Sequence, residues 1–406
     1  MLNSAEAGRA GNVRSDCLIR LERLDAGEVI IDIESKVDVL YGSSIRRLVE
    51  DVLRFYGLTG IRVSVTDTGA LPYTLAARLE TAITRLSQSE RREYLLPYRQ
   101  GIHHTFARDH FRRSRLYLPG NDPKLAINAG IHGADGIILD LEDSVAPTEK
   151  DAARILVRNA LREVDFMGAE RMVRINQGML GFEDLDMIIP QKPNTILVPK
   201  VEDASQVRAV HEHIEELRSQ HGMEDDVFLM PIIESAKGAM FAYDIATAAP
   251  SVVALAVGLE DYTADIGAER TLEGQESLWM RGAVLNASRA AGVQAIDTVF
   301  SDVDDMEALY KSVIEAKSLG FDGKGCIHPR QIAVVHRAFT PSAKEIEKAK
   351  NIVRAFEYAT DRGLGVVALG SKMIDPPVVK RAQRCIDLAV TSGLLSEHWK
   401  EEGNEV

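Results

Sequence analysis

The residues most able to do chemistry recur at one kind of position between residues 114 and 330. Short apolar runs end, one after another, in ionisable side chains: Asp140-Leu-Glu142-Asp143, Arg174-Ile-Asn176, Pro199-Lys200, Glu234-Ser235, Gly258-Leu-Glu260-Asp261, Asp297 and His328-Pro329. A single carboxylate after such a run is ordinarily a helix cap or a first-turn charge. A set repeated at the same end of successive runs points to one shared site. Its composition is several carboxylates, one arginine and one lysine, with His328 as the only imidazole and no Ser-His-Asp or Cys-His arrangement. Oxygen ligands from two runs, with positions left open, suit Mg2+ rather than zinc. Glu234 and Asp261 close consecutive runs and are the best ligand pair, and the planar fork of Arg174 suits a substrate carboxylate. A 2-hydroxy or 2-oxo acid chelated by such a metal would have its oxygen polarised and the charge of an enolate or alkoxide stabilised. The residues alone therefore describe an Mg2+-dependent enzyme acting on an acidic carbonyl compound.

The elements that must position this set read as strands alternating with helices. Strand candidates fall at 115–118, 136–141, 172–175, 195–198, 227–233, 253–257, 294–299 and 325–327, with helical segments such as 148–163, 205–220, 276–291 and 305–319 between them. Near-continuously apolar strands alternating with helices indicate a parallel sheet covered on both faces. Eight units predict an α/β fold, a (β/α)8 TIM barrel, over 113–340, where such barrels take about 250 residues and place their chemistry at the C-terminal strand ends. An open doubly wound sheet competes, but no Gly-x-Gly-x-x-Gly follows the first strand. Two further helices at 343–360 and 377–392, joined by the glycine-punctuated loop 363–375, make a C-terminal helical extension over 341–406.

Ahead of the barrel, residues 11–86 read as a small α+β unit within a domain at 1–90. Strands are expected at 17–24, 28–33 and 61–65, and helices at 45–56, capped by Ser43 or Ser44 and ended by Gly57, and at 74–86. Residues 91–112 are polar, locally basic and aperiodic, and are expected to be a solvated linker in which His103, His104 and His110 do not form a metal site. The charge distribution fits such a division. Of 48 basic and 61 acidic side chains, residues 1–112 carry 16 and 15, leaving 32 and 46 for the remainder. A net charge of −13 argues against a nucleic-acid or anionic-membrane binder. Cys17, Cys326 and Cys385 show no disulfide or zinc spacing, and no apolar stretch approaches the ~18 residues of a membrane span. A cytoplasmic protein with reduced thiols is expected.

The strand-end motifs also carry a resemblance. Arg115-Leu-Tyr-Leu-Pro-Gly-Asn, Leu139-Asp-Leu-Glu-Asp-Ser-Val, Val173-Arg-Ile-Asn, Val198-Pro-Lys, Ile233-Glu-Ser, Gly258-Leu-Glu-Asp-Tyr, His328-Pro-Arg-Gln-Ile and Gly370-Ser-Lys-Met-Ile-Asp-Pro-Pro occur in order. From about residue 113 to 395 the chain is similar to citrate lyase β chains, of the HpcH/HpaI aldolase type. The resemblance implies a trimer-forming (β/α)8 barrel with Mg2+ on Glu234 and Asp261 and a substrate carboxylate on Arg174. It places Arg115, Glu142 and Lys200 at the site, and Asp375 on a C-terminal lid as the candidate acid. Ala10-Gly-Asn-Val-Arg-Ser15-Asp-Cys-Leu-Ile-Arg20, Gly60-Ile-Arg-Val-Ser-Val-Thr-Asp-Thr-Gly-Ala-Leu and Ala77-Arg-Leu-Glu resemble the citrate lyase γ chain, an acyl carrier protein. That likeness implies a phosphoribosyl-dephospho-CoA arm on Ser15. Together they imply cleavage of a citryl thioester to oxaloacetate and an acetyl thioester, with a separate α chain as transferase partner. A malyl-CoA or citramalyl-CoA lyase or thioesterase, and a non-catalytic acyl-binding scaffold, are the alternatives.

Overall fold

The computed structural model describes residues 3–25, 27–87, 92–361, 363, 367–369 and 372–401. The N-terminal module comprises β1 (Ser4–Gly8), β2 (Cys17–Arg23), β3 (Val29–Ser35), α1 (Asp38–Tyr56), β4 (Ile61–Asp67) and α2 (Pro72–Ser87). Its sheet runs β1-β2-β4-β3, with β3 and β4 parallel and the other pairs antiparallel. β4 alternates strictly, sending Ile61, Val63, Val65 and Asp67 inward, and α1 buries Ile45, Val49, Val52 and Leu53 against the same core. α1 ends at Gly57 in the left-handed region, as expected, but begins at Asp38, a full turn before the anticipated caps. β1 carries no β-branched residue and escapes propensity reasoning; it forms because the edge of β2 is available to pair with it. Gly8 is required there, because a Cβ would lie 2.0 Å from the Cys17 carbonyl oxygen and 2.9 Å from Cδ of Arg78.

The barrel strands are β5 (Ser114–Pro119), β6 (Gly136–Asp140), β7 (Glu170–Arg174), β8 (Thr195–Val198), β9 (Phe228–Ile233), β10 (Ala254–Val257), β11 (Gln294–Asp297) and β12 (Gly323–Cys326). They form a closed parallel barrel in sequence order, with β12 returning to β5. Between them lie α3 (Pro123–Ile127), α4 (Lys150–Glu163), α5 (Gly178–Ile188), α6 (Ala204–Gln220), α7 (Ala236–Met240), α8 (Ala242–Ala246), α9 (Leu259–Asp265), α10 (Leu278–Ala291) and α11 (Met306–Leu319). The interior is filled by Ile138, Met172, Leu197, Phe228, Met230, Ile232, Ala254, Ala256 and Ile296, with Tyr117 packed on them. Because strand side chains alternate, residues two positions further along point to the same axis.

The expected solvated linker is instead a fixed strap. Leu96 O accepts from Arg162 at 2.6 Å, and the Tyr98 hydroxyl accepts from Arg171 at 2.8 Å. His104 O accepts from Asn194 at 2.8 Å, and Arg108 donates to the carbonyls of Pro250 and Val252. Arg112, fully buried, makes a two-point pair with Glu170 at 2.8 and 3.0 Å. These partners open or precede β7, β8 and β10, so the strap lies across the N-terminal mouth of the barrel. Burial pushes the imidazoles of His103 and His110 below their usual range. The sequence looked polar because its charges are used against backbone carbonyls and buried carboxylates, which periodicity does not register.

The chain forms two compact units, 1–304 with 319–332, and 305–318 with 333–406. The second unit holds most of α12 (Pro329–Phe339), then α13 (Ala343–Thr360), an antiparallel pair β13 (Val367–Leu369) and β14 (Lys372–Ile374), and α14 (Pro376–Thr391). The loop expected at 363–375 thus contains two short antiparallel strands, while 364–366, Gly370 and Ser371 lie outside the described residues. Ile352, Val353, Ile374, Ile386 and Trp399 form its core. No helix among the described residues is long and apolar enough to cross a membrane.

Arg112→Leu leaves Glu170 charged and buried without its guanidinium. Urea unfolding should show a loss of about 3–5 kcal/mol. The double variant Arg112→Leu/Glu170→Leu should regain most of it, because the second change removes the stranded charge.

Candidate active site

Strand parity builds the site. Asp140 stands two residues above Ile138, Arg174 two above Met172, Glu234 two above Ile232 and Thr298 two above Ile296, so all four turn toward the axis at the C-terminal mouth. They line a cavity of about 270 Å3 with Tyr117, Asp143, Gly258 and Asp261. Gly258 admits the carboxylate: a Cβ there would lie 2.5 Å from Oε2 of Glu234. Asp261 lies in the first turn of α9, and its neighbour Glu260, also on the cavity wall, pairs with Arg270.

Arg174 is held rigidly. Its Nε and Nη2 donate to the two Asp140 oxygens at 2.6 and 2.7 Å, and Nη1 pairs with Glu142 Oε2 at 3.1 Å. Two of the five N–H donors of a guanidinium are thus hydrogen-bonded and Nη1 is ion-paired, leaving donors on both terminal nitrogens for a substrate carboxylate. Burial opposes ionisation of Asp140, but the hydrogen bonds and charge of Arg174 outweigh it and hold its carboxyl below the usual range. Burial likewise opposes the charge on Arg174, and Asp140 more than restores it.

Lys200 links the remaining carboxylates. It is one of four non-glycine residues at positive φ among the described residues (50°), a conformation that costs free energy and is retained where the surroundings enforce it. In that turn its backbone N–H donates to Glu234 Oε1 at 2.6 Å, while Nζ lies 3.0 Å from Glu142, 3.4 Å from Asp143 and 3.8 Å from Asp261. Glu142, nearly buried, bridges Lys200 and Arg174 and also accepts from Gln177 at 3.0 Å. Asp140, Gln177, Tyr117 and Thr298 complete the expected set. Only strand parity could have flagged Tyr117 and Thr298 from sequence, and nothing local marks Gln177.

Not every expected residue converges. Arg115 is 1% exposed and does not line the cavity; its Nη1 lies 2.9 Å from Met230 Sδ and its Nε has no partner among the described residues. It shares the parity of Tyr117 but stands two residues below it, on the barrel floor. Asp297 has the opposite parity and turns outward to Arg281 and Lys324 at 3.1 and 2.9 Å. His328 accepts at Nδ1 from the Arg330 backbone N–H, as a helix-start residue does. Asp375 belongs to the second unit, where its carboxylate accepts from Val378 N at 3.2 Å and caps α14. Ser15 lies in the N-terminal module at φ 61°, with its N–H on Thr68 O at 3.3 Å.

The electrostatics favour a cation. The carboxylates of Asp140, Glu142, Asp143, Glu234 and Asp261 meet the side-chain charges of Arg174 and Lys200, while Lys150 is engaged by the carbonyls of Leu141 and Glu142. Burial, reinforced by the charges of Asp261 and Glu142 and opposed by the Lys200 N–H, pushes the Glu234 carboxyl up to about 8. No group of three or more His, Cys, Asp or Glu in metal-binding arrangement occurs among the described residues. A site with two carboxylate ligands fits Mg2+, which keeps several waters and takes few protein oxygens.

A (β/α)8 barrel whose carboxylates, arginine and lysine meet at the C-terminal mouth, joined to a small α+β module, is the class this fold and site define. Residues 113–329 match the family model described as HpcH/HpaI aldolase/citrate lyase, and the chain belongs to that family. It is a carbon–carbon lyase. Residues 5–86 match the acyl carrier model described as malonate decarboxylase delta subunit (MdcD). The chain is 40% identical over 301 residues to the citrate lyase subunit beta of Leuconostoc mesenteroides subsp. cremoris, covering 73% of this chain and 98% of that one. It is 33% identical to the mitochondrial citramalyl-CoA lyase of Mus musculus, covering 69% and 86%. Among solved structures it is similar to the protein CitE of Mycobacterium tuberculosis in complex with magnesium, acetoacetate and coenzyme A. There the TM-score is 0.57 with 31% identity, over 70% of this chain and 99% of that one.

A raised Glu234 fixes a sign. Below about pH 8 the metal-free carboxyl holds its proton; with Glu234 as the candidate ligand, metal uptake releases it, and apparent Mg2+ affinity should rise from pH 6 toward pH 8, levelling above. Titration calorimetry in two buffers of different ionisation enthalpy should show this proton release. In Glu234→Gln it should vanish.

Proposed function

We propose that the chain cleaves a citryl thioester, carried on its own N-terminal module, to oxaloacetate and an acetyl thioester. The observation that carries this reading is the acyl-carrier module, residues 5–86, on the same chain as a barrel of the citrate lyase family. A lyase working on free CoA thioesters has no use for a built-in carrier. Ser15 is the proposed attachment point of a phosphoribosyl-dephospho-CoA arm ending in the reactive thiol.

In this reading Glu234 and Asp261 hold Mg2+, which when bound polarises the oxygens of the hydroxy-acid end. Arg174, locked by Asp140 and Glu142, takes the substrate carboxylate on the free N–H donors of its terminal nitrogens and so fixes the bond to be broken. Lys200, drawn between Glu142, Asp143 and Asp261, keeps its proton because those charges outweigh the cost of its partial burial; it adds positive charge beside the substrate. A base removes the hydroxyl proton, the carbon–carbon bond breaks toward the thioester, and the resulting enolate takes a proton, with Asp375 as its proposed donor. The thioester is needed because its enolate forms far more readily than that of a free carboxylate. The separate citrate lyase α chain is the proposed transferase partner, a trimer the proposed assembly, and the cytoplasm the proposed setting.

Two expected outcomes test this. Asp261→Asn should lower Mg2+-dependent oxaloacetate release, followed in a coupled assay, by at least the roughly 100-fold that loss of an outer-shell metal partner can cost. Ser15→Ala should abolish mass gain on treatment with the modifying enzymes while leaving cleavage of free citryl-CoA intact. Turnover of malyl-CoA or citramalyl-CoA in preference to citryl thioesters would favour the alternative suggested by the citramalyl-CoA lyase relatives.

A further inference from the structure

The carrier is not hung from the barrel; it is packed onto it. Helix α2 is buried on nearly every face, from Tyr73 through Ile83, and Tyr73, Glu80 and Arg85 on it are matched across the contact. Both terminal nitrogens of Arg158 on α4 bond Glu80 at 2.7 and 2.8 Å, with both side chains almost inaccessible. Asn159 donates to Tyr73 O at 3.1 Å, and the Tyr73 hydroxyl donates to Pro123 O at 3.2 Å. Arg85 grips Asp151 at 2.8 and 2.7 Å. The strap adds to this immediately beyond α2, where Tyr94 N donates to Glu80. Undocking would strand Arg158 and Glu80 unpaired and would have to peel the strap from the barrel mouth.

The residue next to the attachment serine belongs to the same network. Asp16, 1% exposed, takes both Nε and Nη2 of Arg78 at 2.9 Å, and Nη2 also donates to Asn121 O at 3.0 Å. Arg9 bonds Asp16 and Asn121 as well. Asn121 follows β5 on the C-terminal face, and the adjacent Gly120 N–H donates to Asp140 O at 2.8 Å, the same Asp140 that clamps Arg174. Hydrogen bonds joined by short stretches of backbone thus lead from the residue beside Ser15 to the substrate arginine.

We propose that the carrier works from this docked position: Asp16, Arg78 and Asn121 act as positioning residues that hold Ser15 beside the first βα loop, and the covalent arm, not the domain, does the travelling. This rests on the reading that Ser15 bears the arm. Fixing the origin of the arm raises its effective concentration at the mouth, because a tether of matched span loses least to geometry.

The test locks the contact in the full-length, arm-loaded protein. In a Cys385→Ser background, where Cys17 and Cys326 are buried, Arg85→Cys and Asp151→Cys are joined by a short bismaleimide while the arm thiol is masked as its citryl thioester and Mg2+ is withheld. Cleavage of the carrier-borne citryl group should persist within about twofold of the uncrosslinked protein. Loss of that cleavage with citryl-CoA cleavage retained would overturn the proposal in favour of a swinging domain. Conversely, the barrel-side variant Asn159→Ser should slow carrier-borne turnover and spare citryl-CoA; an unchanged or faster carrier-borne rate would count against docking. Hydrogen exchange gives a readout independent of activity: α2 amides should be as protected as those of α4, and rapid exchange in α2 alone would sink the idea. Failure of every variant and the parent to cleave citryl-CoA would instead speak against the substrate reading, leaving the exchange and cross-linking data to decide docking.

Discussion

Alternation with a period of two, imposed on eight strands closed into a ring, is the constraint on which the catalytic end of this molecule depends. Once Ile138, Met172 and Ile232 fill the barrel, the residues two places on have no choice of direction, and Asp140, Arg174 and Glu234 arrive at one axis. The same rule removes residues from the site. Asp297 ends its strand like the others but lies on the outer face, where Arg281 and Lys324 neutralise it. Arg115 lies on the inner face but too low, and pays for its burial with a pKa driven down and a thioether for company.

Convergence brings a surplus of negative charge, and much of the local structure is a response to it. Arg174 is fixed by two carboxylates, Lys200 is drawn among three, and the backbone turn at Lys200 places an N–H on Glu234. That is still not enough, and Glu234 resists ionisation at neutral pH. A buried carboxylate raised by burial and by its own neighbours is the electrostatic form of a cation site, since a divalent ion reverses each of those unfavourable interactions at once.

The carrier interface solves a different problem. A helix that faces both its own sheet and the barrel cannot leave charges unmatched, and α2 contains Arg78 and Glu80 at its centre. Each finds an opposite charge, Asp16 within the carrier and Arg158 on the barrel, with hydrogen bonds in two-point geometry. Such pairs add little net stability over apolar packing, but they tolerate few alternative orientations. Orientation is what an arm with a fixed root requires.

Much of this was legible in the chain. Eight apolar runs between helices defined the barrel, and the motif order named the family; Glu234, Asp261, Arg174, Glu142 and Lys200, which the structure brings together, stood out as candidates because charged residues close or follow apolar runs there. Tyr117 and Gln177 were not, because an aromatic and an amide at those positions are ordinary until their neighbours are known. The strap at 92–112 was misread because a polar segment looks solvated when its partners, such as Glu170 and Asn194, lie tens of residues away. Residue type and spacing are properties of the chain and settle which elements form. Direction and pairing exist only after the ring closes, because only then does parity choose between axis and exterior and burial decide which charges must meet.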